Sequence, residues 1–107
     1  MTPKKFYIYL ANLNPQRGTE PGKVRPVVVV QTNLLNDVHP STIICPLTTN
    51  VRKDIDLLRV HVPLRGTGIE QASDILVDQV RAIDTSRLLQ SLGVLQKKQQ
   101  RELLHRL

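Results

Sequence analysis

Seven residues, Arg25-Pro26-Val27-Val28-Val29-Val30-Gln31, restrict the fold of this chain more than any other stretch. Four consecutive valines are stiff at χ1 and present apolar surface on both sides of an extended backbone. Such a segment reads as a central strand covered on both faces, with Pro26, which donates no ladder hydrogen bond, marking its start. Thr42-Ile43-Ile44-Cys45-Pro46-Leu47 is a second buried strand, ending in Thr48-Thr49-Asn50 where the chain leaves the core. The polar connection from Thr32 to Pro40 has room for one helical turn.

The remaining strands are shorter. Phe6 to Leu13 alternates, with Phe6, Ile8 and Leu10 on one side and Tyr7 and Tyr9 on the other, which is strand periodicity. Asn14 to Lys23 holds two prolines and two glycines among polar residues and reads as a long loop. Leu57 to Val62 alternates weakly, and Arg65-Gly66-Thr67-Gly68 is a turn. Ile75 to Asp84 reads as one long strand, or two broken at a bulge. The spacing of Leu88, Leu89 and Leu92 predicts a short helix capped by Asp84 or Thr85, and Leu95 to Leu107 predicts a final amphipathic helix.

Several short strands followed by a helix, in 107 residues, predict a single domain over 1–107. The expected fold is mainly β with short helices: a curved antiparallel sheet or small barrel with a C-terminal helix. A half-open barrel of this size leaves strand edges uncovered, so a homodimer is expected.

Composition narrows the partners. Fifteen Lys and Arg against nine Asp and Glu give a net charge of +6, which favours a polyanion, although solubility alone also accounts for such a charge. The one cysteine, Cys45, excludes an intrachain disulfide and a thiolate metal cluster. His39, His61 and His105 are scattered and show no metal-ligand spacing, so neither a metal nor another cofactor is expected. There is no apolar run of about 18 residues and no signal-peptide core after Met1, so a cytoplasmic protein without membrane contact is expected.

Three segments together carry a family resemblance. They are Ile8-Tyr9-Leu10-Ala11-Asn12-Leu13-Asn14-Pro15 with Arg17-Gly18-Thr19-Glu20, then Gly22-Lys23-Val24-Arg25-Pro26-Val27-Val28-Val29, then Asp78-Gln79-Val80-Arg81-Ala82-Ile83-Asp84. The chain resembles the MazF/PemK family of toxin nucleases from type II toxin–antitoxin pairs. The resemblance implies the curved CcdB/PemK-like sheet with an SH3-like small-barrel core, a homodimer, inhibition by a partner antitoxin, and sequence-specific cleavage of single-stranded RNA. It also implies that the arginine of the Arg-Pro pair and the threonine ending the next core strand, Arg25 and Thr48, are the active-site residues. The PemK-like branch has an arginine two residues before the acid of the Asp-Gln pair; here that position is Leu76.

Cleaving RNA without a metal requires the 2′-hydroxyl to attack its own phosphate, the charged phosphorane to be stabilised and the leaving 5′-oxygen to be protonated. Arg25, at the mouth of a rigid strand, can hold two phosphate oxygens in its planar fork, whereas an arginine is a poor general base. Thr48 can donate its hydroxyl to a phosphate oxygen. Asp78 and Gln79 interrupt an apolar strand and need partners or a groove; Gln79 can read a base edge and Arg81 can contact phosphate, or Asp78 can be tied structurally to Arg81 or Arg25. Glu20 and Asn36 lie in the loops flanking the Arg25 strand and are candidates for lining an RNA groove. His39 is a candidate proton donor to the leaving group, and His61, between Val60 and Val62, reads as a solvent-face strand residue. The antitoxin is expected to offer an acidic, partly disordered segment. Two rival readings stand beside the nuclease: a same-fold toxin that binds a protein such as a topoisomerase, and a basic RNA-binding domain without cleavage.

Overall fold

The valine run and its neighbours form the middle of a seven-stranded antiparallel sheet in the computed structural model, which describes residues 1–15, 18, 23–54 and 57–107. The strands are β1 (Tyr7–Asn12), β2 (Val24–Val29), β3 (Ser41–Thr48), β4 (Arg59–Val62), β5 (Ser73–Leu76), β6 (Arg81–Asp84) and β7 (Leu88–Val94). Helix α1 (Asn33–Asn36) joins β2 to β3, and α2 (Lys97–Arg106) follows β7. The spatial order is β4-β5-β3-β2-β1-β7, with β6 paired to the free half of β3. The sheet is curved and unclosed, so of the two expected forms the open sheet is the one found.

Both faces of β2 are buried, as four valines in a row require. Val28 joins Ile8, Cys45, Leu47, Val60, Val62, Ile75 and the helical Leu103 in one core. Val27 and Val29 join Tyr9, Ala11, Leu13, Ile44, Ile83 and Leu88 in a second, on the opposite face. The alternation of β1 serves both: Ile8 belongs to the first core and Tyr9 to the second. Two fully buried leucines, Leu95 and Leu103, fix α2 against the first core.

Two expectations are corrected. Of the two forms expected for Ile75 to Asp84 the two-strand one is found, as β5 and β6, but the break between them is a 3-10 turn at Val77–Gln79 rather than a bulge. Along the same edge of β3, β5 pairs at Leu47 and Thr48 and β6 at Ser41 to Ile44. The turn carries the chain from one pairing to the next, and Asp78 and Gln79 fall at the break. The second correction concerns Leu88 to Leu92, which is strand β7 rather than helix. Its pairing with β1 has two register shifts, so Leu88 faces the second core and Leu92 packs on the first. The irregularity gives leucines a helix-like spacing in an extended segment. Asp84 is a cap as expected, but of the short 3-10 turn Thr85–Arg87, where its side chain accepts from the Ser86 amide.

The turn before Ile69 is fixed by backbone contact. A Cβ on Gly68 would strike the Leu92 carbonyl and one on Gly93 the Thr67 carbonyl, and Gly68 has φ +79°, open to glycine without strain. This contact holds Ile69 to Gln71 beside β7, where they form one wall of the hollow described below.

Candidate functional site

Arg25 enters β2 from Lys23, whose φ of 70° places it in the left-handed region. The Lys23 carbonyl accepts from the Leu13 amide and its own amide donates to Asn14 Oδ1 at 2.8 Å, so the entry to β2 is fastened to the end of β1. The β2–β3 register runs Val27↔Pro46, Val28↔Cys45 and Val29↔Ile44. Continued by two residues, it sets Arg25 opposite Thr48. Directly opposed residues of antiparallel strands share a face, so these two side chains are neighbours.

The two line one hollow of about 360 Å³ together with Lys23, Val24, Pro26, Leu47, Thr49, Asn50 and Ser73. Arg25 is half-buried and its Nη1 donates to the Leu47 carbonyl at 3.4 Å. Burial lowers its pKa from the usual arginine value, a sign that the guanidinium has lost part of its water. Thr48 Oγ1 accepts from the Asn50 amide at 3.2 Å, which leaves its hydroxyl proton available to an oxygen acceptor. A second hollow of about 470 Å³ shares Pro26, Thr49 and Ser73 and extends past Leu10, Ile69, Gln71 and Leu92. A cation and a hydroxyl at the head of a partly apolar channel can hold a phosphate and an adjoining base.

The other candidates lie elsewhere. Asp78 is exposed and Gln79 half-buried in the 3-10 turn, and Arg81 stands opposite Ile44, several residues along β3 from Thr48. Asn36 is buried, which removes it from any groove: Nδ2 donates to the Gln31 carbonyl at 2.9 Å, and Oδ1 accepts from Thr42 Oγ1 at 2.8 Å and Gln31 Nε2 at 3.0 Å. It pins α1 to the sheet. His39 lies just before β3, at the end opposite Thr48, where its Nδ1 accepts from the Ser41 amide at 3.1 Å. Eight β3 residues at about 3.4 Å each keep His39 out of the Arg25–Thr48 hollow of the same chain. Glu20 lies outside the described residues.

One residue not singled out from the sequence, Asp74, stands next to the hollow on β5. Thr48 pairs with Asp74 on β5, and Asp74 pairs with His61 on β4. Asp74, its side chain only 3% exposed, accepts from His61 Nδ1 at 3.2 Å, Arg59 Nη1 at 3.3 Å and the Arg52 amide at 2.9 Å. Arg59 also donates to the Asn50 carbonyl at 2.7 Å, joining this cluster to the loop after Thr48. Periodicity places His61 on the outer face correctly, but only the β4–β5 register discloses the carboxylate beside it. Among the described residues, no three His, Cys, Asp or Glu side chains are grouped as metal ligands, and no helix is long and apolar enough to cross a membrane.

Comparison with known proteins points the same way. The model of the PemK-like, MazF-like toxin of type II toxin–antitoxin systems matches residues 4–107. Endoribonuclease EndoA of Bacillus subtilis is 36% identical over 88 residues, 82% of this chain and 76% of the relative. Endoribonuclease MazF of Staphylococcus saprophyticus is 33% identical over 95 residues, 89% and 79% of the two chains. MazF of Deinococcus radiodurans has the same fold, with a TM-score of 0.85 at 24% identity over 99% of this chain and 93% of that one. In a MazE–MazF crystal structure from the same organism the values are 0.76 and 25%, over 98% and 91%.

Proposed function

The chain belongs to the PemK-like, MazF-like family of type II toxin–antitoxin toxins, and we propose that it is the toxin nuclease of such a pair, cutting single-stranded RNA at a short sequence without a metal ion. The observation that carries this reading is that a partly desolvated Arg25 and Thr48 line one hollow. Its relatives EndoA and MazF are endoribonucleases by name, which sets the reaction class.

In the proposed reaction the 2′-oxygen attacks the adjacent phosphorus and the bond from phosphorus to the 5′-oxygen breaks. The products are a 2′,3′-cyclic phosphate and a 5′-hydroxyl. Arg25 holds the phosphate oxygens on which charge grows, in a site where partial exclusion of water strengthens that interaction. Thr48 positions the phosphate through its hydroxyl. Arg25 does not take the 2′-proton, because even with its pKa lowered by burial an arginine is a poor base at neutral pH.

The charge of +6 draws RNA to the protein and suits an acidic, partly disordered antitoxin segment as the inhibitor. A homodimer acting on messenger RNA in the cytoplasm completes the reading, with translation and growth inhibited as a result.

Incubation of the protein and its Arg25→Ala variant with a long single-stranded RNA in excess EDTA tests it. Site-specific cuts by the parent, lost in the variant, support the proposal. An RNA that is bound but left intact across varied sequences makes the protein a binding module and ends the nuclease reading.

A further inference from the structure

The hollow of about 470 Å³ opens where the Arg25–Thr48 hollow ends. The two share Pro26, Thr49 and Ser73. Pro26 and Thr49 directly follow Arg25 and Thr48 in the chain, so the second hollow begins about 3.3 Å along each strand from the residues assigned above to the phosphate. From there it crosses the sheet. Leu10 stands opposite both Pro26 on β2 and Gln90 on β7, which puts Gln90 about 10 Å from Pro26 in the backbone. A nucleotide whose phosphate sits on Arg25 and Thr48 can lay its base in this space.

The facing wall, Ile69 to Gln71, is held at both ends. Before it, the buried Thr67 directs its hydroxyl at the Pro63 and Leu64 carbonyls, at 3.1 and 3.2 Å, and Gly68 lies against the Leu92 carbonyl. After it, the buried Ser73 donates its hydroxyl to the Gln71 carbonyl at 3.0 Å. The wall stands without a ligand, so little ordering remains to oppose binding.

The lining suits a base and not a second phosphate. Leu10, Ile69 and Leu92 offer aliphatic surface to the faces of a flat ring. Among the described residues no Lys or Arg lines the hollow, and its one charged group is Glu70, which repels phosphate. A carboxylate only accepts hydrogen bonds, and the exocyclic amino groups of adenine, cytosine and guanine supply the donor that uracil lacks. Gln71 and Gln90 each carry a donor and an acceptor on one planar amide, the arrangement that matches a base edge. Both are exposed, and among the described residues none hydrogen-bonds to either side-chain amide.

We propose that this hollow receives a base adjoining the cut phosphate, that Gln71 and Gln90 read its edge, and that with Glu70 they select a base bearing an exocyclic amino group over uracil. The proposal rests on the ribonuclease reading above. The three residues determine specificity and take no part in making or breaking bonds.

Once the cut is mapped, oligoribonucleotides carrying each of the four bases at the positions on either side of it are compared by kcat/KM. At one of the two positions the parent is expected to cut the best amino-bearing base about 10- to 100-fold faster than uracil. Gln71→Leu and Gln90→Leu, which keep bulk at exposed positions, and Glu70→Gln, which removes the charge, are each expected to shrink that ratio by at least about fivefold. A merely structural role would slow all four bases equally, and that result overturns the proposal. A parent that favours uracil or is indifferent at both positions overturns it as well. A parent that cuts no RNA removes the ribonuclease reading, and this proposal with it.

Discussion

Arg25 donates through Nη1 to the backbone carbonyl of Leu47 at 3.4 Å, the residue before Thr48. This contact crosses from the start of β2 to the end of β3, where Pro26 donates no ladder bond, and it sets the guanidinium on the hollow that Thr48 also lines. The fork geometry that makes this alignment useful is special to arginine, and the first prediction follows from it.

Arg25→Ala should slow cleavage by about 10²- to 10³-fold, the cost of one preorganised donor. Arg25→Lys keeps the charge but not the planar fork, and should recover less than about tenfold of that loss. Single-turnover rates on a defined RNA, with circular dichroism to confirm the sheet, decide the point; a fully active lysine variant would show that charge alone suffices.

Thr48→Ser retains the hydroxyl and should keep most of the activity, while Thr48→Val, of the same shape, should lose about 10- to 100-fold, the value of a hydrogen bond to a charged group. Because Thr48 is only half-buried, the valine variant should unfold at nearly the parent's urea midpoint. A valine variant with full activity would assign Thr48 to the scaffold.

Asn36 is expected to matter for stability rather than for RNA. Its removal strands buried partners on Gln31 and Thr42, so Asn36→Ala should destabilise by about 1–3 kcal/mol in urea unfolding. Binding of RNA to the remaining folded fraction should be unchanged; a selective loss of RNA affinity with normal stability would return Asn36 to the groove.

Burial first, and the charge of Asp78 second, push the Cys45 thiol from its ordinary 9.0 up to about 12. The folded state therefore holds this proton where the unfolded chain releases it, so the contribution to stability is complete below pH 9.0 and is lost as pH rises towards about 12. At pH 8 the thiol should resist alkylation in the folded protein and react in urea. Rapid alkylation of the native protein would mean that the first core opens to solvent.

What the sequence disclosed, and what it withheld, follows from the range of the interactions. Four valines force β2 to the centre, and the alternation of Phe6 to Leu13 is local, so both strands could be read directly. Leu88 and Leu92 could not, because the two register shifts that turn them to opposite faces belong to the pairing with β1. Arg25 and Thr48 were accessible through family resemblance, although their adjacency depends on the β2–β3 register. The His61–Asp74 pair depends on the register of two strands separated by a turn, and neither residue alone carries a signal. Asn36 looked like a loop amide available to RNA, since nothing local reveals that Gln31 and Thr42 enclose it.

In the proposed reaction the RNA's own 2′-hydroxyl is the nucleophile at the Arg25–Thr48 site. The most direct measurement uses an oligoribonucleotide in which only the sugar on the 5′ side of the mapped cut is 2′-deoxy, incubated with the protein in excess EDTA. This oligonucleotide should be bound but not cut, while the all-ribose parent should yield a 2′,3′-cyclic phosphate and a 5′-hydroxyl. Cleavage of the deoxy-substituted RNA at the same bond would show that water attacks the phosphorus, and would rule out the 2′-hydroxyl as the nucleophile.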